Sequence, residues 1–150
     1  MIKQAAKSHK VDYVFSMLVN IILLIIFYKL PDWHLKFLKD SAIAAILLFV
    51  LNFFAQILGN TILLIYDRII FRNIILIFLA VISIMPMYAL YLTYPFDFSA
   101  VSAPSWTDLM VKIFIILSMM GVVITIIVEI VKIFQISNIS ILKFVSKERK

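Results

Sequence analysis

A chain of 150 residues that is 65 % hydrophobic, with a mean hydropathy of +1.13, is too oily for a soluble domain of its size. The mass of 17.3 kDa also leaves no room for a separate catalytic module beside several membrane-crossing helices. With no cysteine there is no disulfide, thiolate metal site or cysteine nucleophile, and His9 and His34 stand far apart without a second ligand, so no metal and no cofactor are expected.

A membrane-crossing helix needs about 20 apolar residues rising 1.5 Å each. The chain offers four such stretches, at about residues 12–29, 41–66, 74–94 and 109–134. The fold class predicted is therefore all-α and polytopic: one domain of four transmembrane helices, N-in and C-in, with the fourth helix extended into the cytoplasm and residues 135–150 forming a basic amphipathic tail.

Lys3, Lys7 and Lys10 precede the first span as they would in a signal peptide, but Lys29-Leu30-Pro31-Asp32-Trp33-His34 contains no small-x-small cleavage site, so the span is read as retained. Tyr13 and Tyr28 suit its two interfaces, Ser16 and Asn20 share a face, and Pro31 stops it. The join 29–40 sets Trp33, Leu35 and Phe37 among charges, as in a segment lying along the outer interface. Span two opens with Ser41 as a plausible N-cap and, at 26 residues, must tilt or protrude. The tight join 67–73 makes spans two and three antiparallel neighbours, with Arg68 and Arg72 anchoring the inner leaflet.

In span three Pro86 removes a backbone donor and clashes one turn back, which predicts a kink near Ser83–Pro86. The join 95–108 holds Phe96, Phe98 and Trp106 but no Lys or Arg; with Trp33 it is the outer surface most apt to contact another molecule. After Gly121 no glycine or proline interrupts the chain. Helix from 109 to 145 would span 37 residues, about 55 Å against a hydrocarbon core of about 30 Å. Ile136, Ile139, Leu142 and Val145 then give the projecting part an apolar stripe, to lie on lipid or on protein.

With both ends in the cytoplasm, ten of the 14 Lys and Arg residues fall inside and four outside, as the positive-inside bias requires. Arg68, Arg72, Lys132, Lys143, Lys147, Arg149 and Lys150 are the candidates for contact with a cytoplasmic partner or with anionic lipid, which explains basic span ends without invoking nucleic acid.

Asn52, Gln56 and Asn60 recur every four residues and so form one stripe on span two, with Gly59 beside it. An unpartnered amide in hydrocarbon costs several kcal/mol, so the stripe must face protein or water. It reads first as interhelical bonding, worth about 0.6 to 2 kcal/mol per bond, then as the lining of a hydrated cavity or pore, and last as a specific ligand site. Asn20, Asn52, Ser83 and Ser118 with Gly121 lie near mid-depth, one set per span, which predicts a central polar layer if those faces converge. Gln56, Asn60, Thr125 and Glu129 would continue it inward. Glu129 is the only acid within a span, and Lys132 at i+3 makes an inexpensive pair for it. No Ser/His/Asp set, glycine-rich phosphate loop or pair of buried carboxylates is present, so no enzyme is expected.

These features predict a non-enzymatic membrane subunit that oligomerises and serves a cytoplasmic protein partner. In length, in four spans and in its basic cytoplasmic tail, the whole chain resembles in outline the small four-span subunit of Kiwa-type antiphage defence. That resemblance implies a homo-oligomer of the inner membrane that senses infection and relays to a DNA-binding partner, without touching nucleic acid itself. Alternatives are an immunity protein against a pore-forming bacteriocin and a small channel or transporter lined by the Asn52/Gln56/Asn60 stripe.

Overall fold

The computed structural model describes residues 2–39, 41–101, 104 and 106–148, with side chains described for 10–39, 41–99, 104 and 106–136. Four long helices cross the membrane: α1 (Ile2–Lys29), α2 (Ala42–Ile65), α3 (Ile69–Thr93) and α4 (Thr107–Glu148). Each is long and apolar enough to do so because its backbone polar groups are satisfied internally and its side chains match hydrocarbon. A 3-10 turn, Leu30–Trp33, carries Pro31 in its first turn and ends at His34 in the left-handed region (φ 46°). The proline ends α1 there, as expected.

The polar residues before span three are helical. Arg68 is the N-cap and α3 begins at Ile69, so the predicted join 67–73 shrinks to Tyr66-Asp67-Arg68. A helix entering at the interface can keep Arg72 near the headgroups while its backbone is already coiled, which a hydropathy boundary does not register. Ser41 caps α2 in position only: its backbone is already helical and its side chain makes no capping bond. The helical assignment of α3 runs through the buried Pro86. α4 is continuous for 42 residues, about 63 Å, so the expected extension is present.

The helices run antiparallel in a row, each packing extensively on its neighbour in sequence, α1 on α2, α2 on α3 and α3 on α4. Among the described residues α1 and α4 form no comparable interface, so the row is open at both flanks there. Both chain ends therefore lie on one side of the membrane, here termed the terminal side. The buried residues of α2 recur at helical spacing, from Ala42, Ala45, Ile46 and Phe49 through Phe53 to Gly59 and Leu63. Small residues at 42, 45 and 59 let neighbouring backbones approach, which is how helices associate where lipid supplies no hydrophobic drive. Between α1 and α2 the rings of Phe27, Phe49 and Phe53 pack with centroids 5.0 to 6.0 Å apart. Between α2 and α3, Gly59 presses on Leu79 so closely that a Cβ there would lie 2.6 Å from Leu79 Cδ1.

On the opposite side the two long joins pair with each other. The Lys39 N–H donates to the Pro95 carbonyl at 2.8 Å and the Asp97 N–H to the Phe37 carbonyl at 2.7 Å, around an antiparallel bridge between Leu38 and Phe96. Phe37 stacks on Phe98, Phe98 on Phe96, and Tyr94 meets Phe96 edge-on, all at 5.7 to 5.8 Å. This cap binds the α1–α2 join to the α3–α4 join.

Tyr94 also fastens α3 to α4. Its hydroxyl donates to the Asp108 carboxylate at 2.7 Å, and Lys112 Nζ sits 4.5 Å from its ring centroid. Burial, followed by the hydrogen bond to Asp108 and the charge of that carboxylate, pushes the phenol up to about 12 from an ordinary 10.0. The protonated form is thus favoured in the folded state. Its contribution to stability is complete below pH 10, where both states are protonated, and is lost as pH rises from 10 towards 12. Thermal unfolding in detergent should show wild type losing stability relative to Tyr94→Phe across that window, and parallel curves would refute the latch.

Candidate functional site

The amide stripe becomes a hydrogen-bonded seam through the middle of the row. Gln56 Nε2 donates to Ser83 Oγ at 2.9 Å, while the Ser83 hydroxyl divides its proton between Asn52 Oδ1 at 3.0 Å and the Leu79 carbonyl at 2.9 Å. Asn60 Nδ2 donates to the Gln56 carbonyl at 2.7 Å and reaches Ser16 Oγ of α1 at 3.2 Å. Asn52 and Asn60 are buried and Gln56 half-buried. One stripe on α2 thus bonds to both neighbours, with the i, i+4 spacing bringing each amide onto the seam in turn.

The central polar layer draws on three spans rather than four. Asn20 donates to the Ser16 carbonyl at 2.8 Å and so borders the seam through Ser16. Ser118 and Thr125 return their hydroxyls to carbonyls of their own helix, Phe114 at 2.8 Å and Gly121 at 3.0 Å. The reason is the row: α4 packs on α3 and does not complete a ring around a common axis. Gly121 accordingly faces open space.

Thr125 and Glu129 do meet Gln56 and Ser83 across a crevice of about 250 Å³, with Leu79 and Val122 among its walls. Glu129 is 6 % exposed; one carboxylate oxygen accepts from Lys132, which is half-exposed, and Oε2 has no protein partner. One helix away, the amide of Asn73 is 1 % exposed with both its polar atoms unpaired. Such groups carry the desolvation cost of buried polarity without an offsetting bond, so among the described residues the unsatisfied buried polar atoms fall in the terminal-side half of the α3–α4 region. Among the described residues no group of three or more His, Cys, Asp or Glu side chains converges.

On the terminal side, Asp67 Oδ1 accepts from Tyr13 Oη at 3.1 Å and lies 3.6 Å from Arg72 Nη1. This cluster ties α1 to the α2–α3 turn and to α3. Sequence reading placed Arg72 at the interface without its partners, since an aspartate in a short join gives no sign of a tyrosine 54 residues earlier. Arg68 stacks on the Tyr66 ring at 5.3 Å. Lys143 and Lys147 belong to the projecting part of α4, but their side chains, like Arg149 and Lys150 altogether, lie outside the described residues. On the opposite side Trp33 and Trp106 are exposed, whereas Phe96 and Phe98 are half-buried in the aromatic cap.

The arrangement therefore contains a bonded seam, an under-satisfied carboxylate at a crevice, an aromatic cap and one helix far longer than the bilayer is thick. Compared with known proteins, the chain matches no protein-family model, no curated protein and no solved structure.

Proposed function

We propose that the protein is a non-enzymatic subunit of the inner membrane, with both termini in the cytoplasm, that assembles with copies of itself and relays to a soluble protein along α4. The observation that carries this reading is the unbroken 42-residue helix, which joins the crevice at Glu129 to a segment about 21 Å long beyond the apolar stretch that the sequence ends at residue 134. A helix that continues without a break transmits rotation or tilt, whereas a hinge would absorb it. The open flanks of the row favour assembly, since α1 and α4 each retain an unpartnered face for another copy. Consumption of the amide stripe by interhelical bonds supports packing over a pore lining. A sensing role in antiphage defence is the specific form implied by the outline resemblance to the Kiwa subunit.

The test is the mass of the detergent-solubilised protein, alone and co-expressed with the products of adjacent genes. A multimer that retains a soluble companion is expected, and removal of residues 137–150 should release the companion while leaving the multimer intact. A lone monomer without a companion would overturn the reading, as would reporter fusions placing the two ends outside the cytoplasm.

A further inference from the structure

Where α2 ends and α3 begins, the chain forms a groove of about 730 Å³ against Ile136 of α4. Its position is set by the boundaries of two spans: α2 stops at Ile65 and α3 starts at Ile69. The groove thus sits at the depth where hydrocarbon gives way to headgroups.

Its charges are unequally employed. Arg72 faces Asp67, which also accepts from Tyr13, and Lys132 on α4 is occupied by Glu129. Arg68 is exposed, braced on the Tyr66 ring, and has no carboxylate partner among the described residues. Beside it Ile69, Ile70 and Ile74 are at least half exposed. A guanidinium at headgroup depth with apolar wall below it matches a phosphate ester with an acyl chain.

We propose that this groove seats one anionic phospholipid, its phosphate on Arg68 and an acyl chain along Ile69, Ile70, Ile74 and Ile136. The preference for an anionic over a zwitterionic headgroup follows from the inventory of charges. Asp67, the acid in the groove, already has its charge set against Arg72, whereas that of Arg68 is uncompensated, so the groove's free charge is positive. The bound lipid would wedge the α2–α3 turn against α4 at the start of its projecting part. The site is distinct from the relay reading and stands or falls on lipid mass, whether or not a soluble companion co-purifies.

The experiment is native mass spectrometry of the purified full chain with equimolar phosphatidylglycerol and phosphatidylcholine. One phosphatidylglycerol per chain is expected in clear excess over phosphatidylcholine. Arg68→Gln should lower its retention roughly tenfold, the scale of losing a charge-assisted hydrogen bond. Arg68→Lys should keep part of it, and Lys29→Gln on the opposite side should leave it unchanged. Equal retention of the two lipids, indifference to Arg68→Gln, or displacement of the lipid by inorganic phosphate alone would overturn the proposal.

Discussion

Gly59→Leu is expected to force α2 and α3 apart and to destabilise the protein by about 3 kcal/mol, at the upper end of overpacking costs. The first added atom already meets Leu79 Cδ1 at 2.6 Å and Cδ2 at 2.8 Å, and Leu79 is only 4 % exposed. Its side chain has little room to retreat. Because Leu79 also supplies the carbonyl approached by Gln56 and Ser83, displacement at this point carries into the seam. Gly59→Ala should cost less, since alanine gains about 1 kcal/mol of helix propensity over glycine while demanding a smaller shift. Leu79→Ala placed in the Gly59→Leu chain should restore much of the loss, because the two residues share one volume and their effects cannot add. Unfolding of the wild type, Gly59→Leu, Leu79→Ala, their double variant and Gly59→Ala in detergent measures this directly. Additive losses would show that the close approach at Gly59 does not govern the interface.

The second large effect is asymmetric. Lys132→Met should destabilise by about 2 to 4 kcal/mol, because it strands a carboxylate that is 6 % exposed and already lacks a partner on Oε2. Glu129→Leu removes the same ion pair yet leaves only a half-exposed ammonium that can reach the headgroups, so it should be neutral or mildly stabilising. Glu129→Leu combined with Lys132→Met should return close to wild type. If Lys132→Met is harmless, the pair has no structural weight. Retention of a co-purifying companion supplies a second comparison: Glu129→Leu that folds normally but loses the companion would assign the carboxylate a task beyond packing in the proposed relay.

The limits of sequence reading fall where pairing becomes long-range. The spans were legible because hydropathy is a local property, and the amide stripe because i, i+4 spacing is fixed by helix geometry. The partner of that stripe was not, since Ser83 lies 27 residues from Gln56 and nothing local marks it over Ser118. Whether Ser118 joins the seam depends on row against ring, a choice made by the contacts between helices. The start of α3 was placed five residues late because Arg68, Arg72 and Asn73 resemble a loop by composition, although Asn73 proves to be almost wholly buried. The aromatic cap was read as two separate interfacial segments. Its hydrogen bonds run between backbones of the two joins, to which side-chain identity offers little guide.

The fastening of α4 has a mechanical corollary. Among the described residues its polar ties to the rest of the protein, through Tyr94, Asp108 and Lys112, lie at its first turns, while Ser118, Thr125 and the Glu129–Lys132 pair close upon the helix itself. A rod pivoted near one tip sweeps an arc that widens with distance from the pivot. A slight rocking beneath the aromatic cap would be scarcely visible at mid-bilayer and greatest at the far tip of the lever.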